Sequence, residues 1–326
     1  IGGSIFRYDA DGRWRNIIET VQTPWRAMRN LGPNFAVACG KGGMMGRIVN
    51  GRWTTEGPYG PWNANDLLDL VVVSEDNIWA AGQRTVVRLL EGKWSLMETT
   101  PAPFDPGWIK IGAFTPPAGS TYFPATDKPV IWLLDGQGVI WFYADKRWTK
   151  FGSTPFPPTG LLIDNNGEIW ACGNCHSCVA RWKEGRWDSF DIAYGGWQGF
   201  AGKNDEGSEL YLFNAASLWK YQGTWFERLE TMSFSGDKVI AWSRKAGELV
   251  MVVSRLTGLA QAVVLISGNW SATTLPADGL WYGIHGTTRT LGDNREVLDV
   301  RIAGEYGIMR WTKILPLSVQ ADGDAE

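Results

Sequence analysis

Histidine is scarce in this chain, which has two, His176 and His285, among 326 residues. Two imidazoles leave little room for histidine acid–base catalysis or for a metal site with several histidine ligands. The sequence also lacks a phosphate-binding G-x-x-x-x-G-K-[ST] loop, an H-E-x-x-H zinc motif and a G-x-S-x-G nucleophile motif. The familiar sequence signatures of several large enzyme classes are therefore missing.

A strong excess of charge and long apolar runs are missing as well. Lys and Arg total 31 against 34 Asp and Glu, which gives a formal net charge of −3. This balance predicts no broad nucleic-acid-binding face. No apolar run approaches the ~20 residues that a membrane-spanning helix needs. Residue 1 is Ile and no signal segment follows it, so we expect a chain processed from a longer precursor or belonging to a larger particle. The compartment stays unassigned.

Tryptophan and glycine are abundant instead, with 20 and 40 copies, while charged residues make up 20% of the chain. Many aromatic residues and many glycines favour short strands joined by tight turns over a helical bundle. The apolar content of 44% is sufficient for a packed core. The composition therefore predicts an all-β protein.

A Gly-basic-Trp string recurs along the sequence. Clear copies end at Trp14, Trp53, Trp94 and Trp187, and degenerate copies end at Trp148, Trp225 and Trp270. Successive copies are 38 to 54 residues apart, close to the ~40–50 residues of a four-stranded propeller blade. The residues before each copy have the pattern of three short strands, which we call A, B and C. The Gly-basic-Trp string marks the hairpin between strand C and a fourth strand, D.

These repeats predict a β-propeller of four-stranded blades over residues 1–317, with a disordered acidic tail at 318–326. Residues 4–8 and 12–14 read as C and D strands, whereas residues 280–284 and 296–302 read as A and B strands. Pairing of the two chain ends would close a ring of seven blades. A further C-like strand at 306–311 makes a ring of eight blades the alternative.

The longest spacing contains an insert at residues 101–128, which includes the segment Pro-Pro-Ala-Gly-Ser at 116–120. Long inserts on a rigid scaffold often carry function. A structural elaboration without a function of its own is the alternative.

The stretch Asp76-Asn-Ile-Trp-Ala-Ala-Gly82, followed by Glu91-Gly-Lys-Trp94, resembles a bacterial propeller repeat of the type V-W-A-V-G…D-G-x-x-W. Residues 164–170 and 181–190 are similar to the repeat of two-component-regulator sensor propellers. The resemblance implies a sensor, binding or adhesion propeller. It implies no catalytic residue, because the shared motif is architectural.

A cysteine-rich segment contains Cys172, Cys175, His176 and Cys178. Three thiols and an imidazole within seven residues could hold Zn²⁺ or part of an iron–sulfur cluster. Plain buried thiols, or a local disulfide, are the alternatives, and we favour no cofactor. Cys39 occupies the same repeat position as Cys172, three repeats away, so the two should not share an ion or a disulfide.

A second aromatic series precedes the predicted A strands. The D–A and B–C connections of a propeller emerge on one face, so these residues and the cysteine-rich segment should share it. With Arg26 and Arg255 nearby, aromatic rings there could stack on a sugar or hold a peptide, or they could simply pack between blades. The candidate ligand-binding residues are Trp25, Tyr59, Trp62, Arg84, Trp108, Tyr194, Trp197 and Trp281.

Three functions are compatible with this sequence. The first is a non-enzymatic docking or structural propeller with a protein partner in an assembly, favoured by the missing catalytic signatures. The second is a carbohydrate-binding propeller, a lectin or adhesin, favoured by the phased tryptophans. The third is an enzyme such as a glycosidase or a metal-dependent lyase, for which the scattered carboxylates give no paired acid–base pattern. We expect most of those carboxylates to be turn residues.

Overall fold

The computed structural model describes residues 3–8, 14–21, 24–32, 34–49, 52–56, 65–83, 85–97, 108–164, 166–192, 194–202, 209–229, 235–243, 247–266, 268–292, 295–305 and 307–315. Within them the chain forms 29 strands and one short 3₁₀ helix, Lys41–Gly43. No helix in these residues is long and apolar enough to cross a membrane. The all-β prediction is confirmed.

Six blades are four-stranded antiparallel sheets, each built from four consecutive strands. The strands of the first three blades are β3 (Trp25–Gly32), β4 (Phe35–Gly40), β5 (Met45–Val49) and β6 (Arg52–Glu56); β7 (Leu67–Ser74), β8 (Asn77–Gly82), β9 (Thr85–Leu90) and β10 (Lys93–Leu96); and β11 (Trp108–Phe114), β12 (Val130–Asp135), β13 (Val139–Ala144) and β14 (Arg147–Ser153). Those of the next three are β15 (Pro158–Ile163), β16 (Ile169–Gly173), β17 (Val179–Lys183) and β18 (Arg186–Ser189); β19 (Trp197–Gly202), β20 (Leu210–Asn214), β21 (Leu218–Tyr221) and β22 (Phe226–Arg228); and β23 (Lys238–Trp242), β24 (Glu248–Ser254), β25 (Leu259–Ile266) and β26 (Asn269–Asp278).

The seventh blade joins the two ends of the chain and closes the ring. Its strands are β27 (Trp281–Thr290), β28 (Glu296–Gly304) and β29 (Gly307–Ile314) from the C-terminal part, and β1 (Gly3–Tyr8) and β2 (Trp14–Val21) from the N-terminal part. The prediction of seven blades closed by terminal strand pairing is therefore confirmed.

The strand assignment at the closure was wrong in one respect. β29 takes the C position, which the sequence reading had given to residues 4–8, and β1 lies beside it as a parallel strand. β2 then adds a fifth strand at the outer edge. The C-like segment at 306–311 thus completes the seventh blade and starts no eighth one.

The C–D hairpins show why the Gly-basic-Trp string recurs. Glu91 and Gly92 have φ of 51° and 78°, and Glu184 and Gly185 have φ of 50° and 88°. Two successive positive φ values characterise the type I′ turn, which matches the twist of the flanking strands. Where glycine is missing, Lys146 takes the position at φ 62°. The glycine of the motif thus serves the turn.

The core lies between neighbouring blades. Trp79 of β8 is fully buried and its ring meets Tyr143 and Trp148 of the third blade, with centroids 5.0 and 6.4 Å away. Trp170 of β16 packs in the same way on Tyr221 of the fifth blade, at 4.7 Å. A single sheet cannot bury both faces, so large side chains between the sheets supply the missing contacts.

The described part of the insert, residues 108–128, also serves packing. Its first segment forms β11, and the connection from β11 to β12 carries Phe123, which is buried. The Phe123 ring contacts Phe114 and Phe151 of the third blade and Trp182 of the fourth, with centroids 5.0 to 5.6 Å apart. This part of the insert therefore fills the wedge between two blades.

Candidate functional site

The innermost strand of every blade contributes to a central channel with a volume of about 650 Å³. These strands are β3, β7, β11, β15, β19, β23 and β27. Each begins on the face where the D–A and B–C connections emerge, which we call the loop face. The residues at the beginnings of these strands therefore surround one mouth of the channel.

A β-bulge recurs at this mouth. In six of the seven innermost strands, the register with the neighbouring B strand shifts immediately after the first residue: Trp25, Leu67, Trp108, Pro158, Trp197 and Trp281. A bulge inserts one extra residue and re-aims the side chains around it. The first residue packs into the wedge where it is described, and bulge residues such as Arg26, Gln198 and Tyr282 line the channel.

The phased tryptophans consequently lie in the core. Trp25, Trp197 and Trp281 are at most 1% exposed. Trp197 packs in one cluster with Trp170 and Cys172 of the fourth blade, and Trp281 in one with Val250 and Val252 of the sixth. Their ring faces are covered by neighbouring blades, so the expected exposed aromatic platform does not form from these three residues. Tyr59, Trp62, Arg84 and the side chain of Trp108 lie outside the described residues.

Tyr194 is the exception, with 42% of its surface exposed. Its ring lies 5.4 Å from the ring of Trp219, and the Arg228 guanidinium lies over it at 5.3 Å. Arg228 Nη1 also donates a hydrogen bond of 3.3 Å to the Tyr194 hydroxyl. An exposed aromatic ring is therefore held in a defined orientation at the loop face.

The cysteine-rich loop lies beside Tyr194, as the shared-face argument predicted. Cys175 and Cys178 form a disulfide, and Ser177 Oγ donates to Asp191 at 2.8 Å. A Cβ on Gly195 would lie 3.2 Å from the carbonyl group of Cys175, so the two loops are in close contact. The D–A and B–C loops of neighbouring blades thus form one continuous surface.

The disulfide changes the interpretation of the proposed metal ligands. Cys175 and Cys178 have no thiolate to offer while they are joined, and His176 is exposed. Cys172 is buried in the sheet beside Thr159, and burial raises the pKa of its thiol to about 12. A protonated thiol is a poor metal ligand. Across the described ranges, no group of three or more His, Cys, Asp or Glu side chains could hold a metal ion.

Positive charge marks the loop-face mouth of the channel. Arg26, Lys110 and Lys238 belong to the first three residues of β3, β11 and β23 and line the cavity. The Arg26 guanidinium lies 4.4 Å, and the Lys238 ammonium 5.4 Å, from the centroid of the Tyr282 ring. Burial, reinforced by the charges of Lys110 and Arg26, lowers the pKa of Lys238 to about 8. Lys110 and Arg26 are thus close enough to Lys238 to destabilise its charged form.

One carboxylate faces this group from within the channel lining. Asp69 is buried and contacts Arg29 Nη2 at 3.1 Å and Lys110 Nζ at 3.8 Å. It also accepts a hydrogen bond from the backbone N–H of Ile111 at 3.3 Å. A glycosidase needs two carboxyl groups across the reacting bond. The described channel lining offers a single one, and it is already paired.

Sequence reasoning placed Arg26 near the aromatic series but missed Lys110 and Lys238. A signal was present, because each lysine lies at the beginning of an innermost strand whose other residues are largely apolar, as in Trp108-Ile-Lys-Ile. Their convergence needed the ring, since 128 residues separate them along the chain. Among the carboxylates expected in turns, Asp164 does lie in one, where it accepts hydrogen bonds from the N–H groups of Asn166 and Glu168. Asp69 instead lies within β7, where its carboxylate contacts Arg29.

At the level of sequence, the chain matches no protein-family profile and no curated protein. Solved structures are similar in fold. YCF48 from Cyanidioschyzon merolae is 11% identical, with 89% of this chain and 95% of that chain covered and a TM-score of 0.61. A structure of YCF48 bound to D1 peptide is 13% identical, with 90% and 94% covered and a TM-score of 0.62.

The extracellular domain of the putative hybrid two component system BT3049 from B. thetaiotaomicron is also similar. It is 10% identical, with 90% of this chain and 40% of that chain covered and a TM-score of 0.60. The resemblance to bacterial sensor propellers therefore holds at the level of the fold. At these identities the similarity shows the fold alone, and the seven blades follow from the sheets of this chain.

Proposed function

We propose that this protein is a non-enzymatic docking propeller whose loop face receives a protein partner. The observation that carries the proposal is the Tyr194 surface, where an exposed ring is fixed by Trp219 and Arg228 beside the disulfide-bonded loop. Tyrosine, tryptophan and arginine dominate the binding energy of protein interfaces. A side chain that is already ordered also loses little conformational entropy on binding.

The remaining support comes from what surrounds this surface. The blades are joined by buried aromatic residues, so the ring provides a rigid support for its loops. Among the described residues of the channel, no paired carboxylates and no nucleophile–base pair converge. A protein of the same fold, YCF48, has been solved with a bound peptide. Together these points favour binding over catalysis.

The proposal is tested by affinity purification of the tagged chain from its native source with quantitative mass spectrometry. Tyr194→Ala should reduce recovery of the true partner at least tenfold. Tyr122→Ala is the matched control, because Tyr122 is 48% exposed but lies in the connection between β11 and β12, on the opposite face. A candidate partner is a protein whose recovery falls with Tyr194→Ala and is unchanged with Tyr122→Ala. Each candidate is then purified, and its binding to the purified chain is measured by isothermal titration calorimetry.

Hydrogen exchange on the reconstituted complex locates the interface. We expect protection of residues 174–178 and 194–196. Equal recovery of every co-purifying protein with Tyr194→Ala and with the unmodified chain would overturn the proposed surface, and so would protection confined to the opposite face.

A further inference from the structure

The cations at the channel mouth lack sufficient negative charge among the described residues. Arg26, Arg29, Lys110 and Lys238 line the cavity, and Asp69 is the carboxylate that lines it with them. Asp69 lies within ion-pair distance of Arg29 and Lys110. No carboxylate of the described residues comes within that distance of Arg26 or Lys238.

Arg26 shows the deficit at the level of a single atom. Its Nε is enclosed by protein and has no hydrogen-bond partner. Burying an unpaired donor that belongs to a charged group costs free energy, so the Arg26 charge is only partly compensated by the protein. The Tyr282 ring packs against the guanidinium, and the Tyr282 hydroxyl donates to Glu305 Oε1 at 3.0 Å. Tyr282 therefore holds the Arg26 side chain in place but leaves this donor unpaired.

Gln198, another bulge residue of the channel lining, is polar but uncharged. Gln198 uses its side-chain amide on the backbone of the sixth blade, where Nε2 donates to the Asp237 carbonyl at 3.2 Å and Oε1 accepts from the Val239 N–H at 2.5 Å. These contacts fix the beginning of β23, where Lys238 lies. The positions of the two unpaired cations are thus set by the fold before any ligand arrives.

The size of the cavity matches a small molecule. Pockets for small ligands usually enclose about 300–1,000 Å³, and this channel encloses about 650 Å³. The cations lie inside the channel on strands that converge from three directions, rather than along a broad outer surface. The net charge of −3 also disfavours a nucleic acid as the occupant. The arrangement fits a compact ligand with several anionic oxygens.

We propose that the loop-face mouth of the channel binds a small organic polyanion, a di- or tricarboxylate or a phosphate ester, through Arg26, Lys110 and Lys238. The guanidinium of Arg26 offers paired N–H donors to carboxylate or phosphate oxygens, and the two ammonium groups act as point charges. This site is separate from the Tyr194 surface, so the binding of a protein partner does not decide it.

The test is isothermal titration calorimetry of the purified chain with citrate, and separately with pyrophosphate, at constant ionic strength. Sucrose serves as the uncharged control ligand. We expect saturable binding of one or both anions and a rise in melting temperature with anion concentration. Binding of citrate alone would assign carboxylates as the ligand class, and binding of pyrophosphate alone would assign phosphates.

Substitutions connect the binding to the named side chains. Lys238→Met and Arg26→Met should each weaken binding at least tenfold, whereas Lys238→Arg, which keeps the charge, should retain most of it. Lys93→Met is the control, because Lys93 is exposed in a C–D hairpin far from the channel mouth. Circular dichroism confirms that each variant folds.

A pH series tests the same point without any substitution. Lys238 faces Arg26 on β3, Lys110 on β11 and Tyr282 on β27, and its pKa is lowered to about 8 by burial and by the charges of Lys110 and Arg26. Burial, together with the hydrogen bond to Glu305, raises the pKa of Tyr282, so it stays neutral. Citrate is almost fully ionised between pH 7 and pH 9.5, so its binding should weaken over this range as Lys238 loses its charge. No saturable binding of either anion, equal affinity in Lys238→Met, or a flat pH profile would overturn the proposal.

Discussion

The Arg29 guanidinium donates a hydrogen bond of 3.1 Å to the buried carboxylate of Asp69, joining the innermost strands of the first and second blades. The other oxygen of Asp69 accepts from the Ile111 N–H on the third blade. One carboxylate therefore connects three blades around the channel. It also neutralises part of the positive charge that the channel concentrates.

Replacing Asp69 with Asn should destabilise the fold by about 2–4 kcal/mol, because Arg29 and Lys110 lose their anionic partner in a partly desolvated site. Urea denaturation followed by circular dichroism measures the change. Glu75→Gln is the control, since Glu75 is exposed in the β7–β8 turn. A loss of stability below about 0.5 kcal/mol, the range of ordinary surface substitutions, would show that Asp69 is not a structural link between blades.

Gly46 of β5 packs against the rings of Trp53 and Trp25 so closely that a larger residue there should destabilise the fold. A Cβ at this position would lie 2.1 Å from Cζ2 of Trp53 and 2.9 Å from Cη2 of Trp25. These two rings already meet edge to face at 5.2 Å. Gly46→Ala should therefore overpack the first blade and cost about 1–3 kcal/mol.

Gly152 of β14 provides the comparison for Gly46. A Cβ at Gly152 would have no heavy atom within 4 Å. Gly152→Ala should leave the thermal midpoint unchanged or raise it, since alanine reduces the entropy of the unfolded chain. Equal midpoints for the two alanine variants would contradict the packing argument.

Most of the architecture could be predicted from the sequence because the signals are local. The Gly-basic-Trp string marks a type I′ hairpin, and the turn residues that it requires recur once per blade. The order of strands at the closure could not be predicted in the same way. Residues 4–8 carry a C-strand pattern, but they form a parallel D-position strand because β29 already occupies the C position. The strand edge that remains free for β1 to pair with is known only when the whole ring is assembled.

The shared loop face could be predicted from the sequence, but the side chains that line the channel could not. The sequence indicates that the D–A and B–C loops share a face, and Gly195 does pack on Cys175. It cannot show which side of an innermost strand a residue faces, because a single bulge reverses the alternation of side chains. The bulge after Trp25 sends that ring into the wedge and leaves Arg26 lining the channel.

The half-buried imidazole of His285, which lines the channel, predicts a loss of stability in acid. Burial, together with the nearby charge of Arg29, lowers the pKa of His285 to about 3. In the unfolded chain the pKa is about 6.5, so the unfolded state binds more protons than the folded state between these values. Stability therefore falls as the pH decreases from about 6.5 toward 3.

The two histidines of the chain allow a matched comparison of this effect. His285→Gln should show a smaller difference in free energy of unfolding between pH 7 and pH 4.5 than the unmodified chain, by about 1–3 kcal/mol. His176 is exposed, so His176→Gln should keep the original difference. Identical pH dependence in His285→Gln and in the unmodified chain would show that His285 is not responsible.

The four cysteines should differ sharply in their reaction with iodoacetamide. Cys39 and Cys172 are buried, and burial raises the pKa of both thiols, that of Cys172 to about 12. Since the thiolate is the reacting species, neither should be labelled in the folded protein. After mild reduction the exposed Cys175 should react first and the buried Cys178 more slowly. Intact-mass spectrometry should show no adduct on the folded chain before reduction and up to two adducts after mild reduction. The reduced chain in denaturant should carry four. An adduct on the folded, unreduced chain would contradict either the disulfide or the burial of the two free thiols.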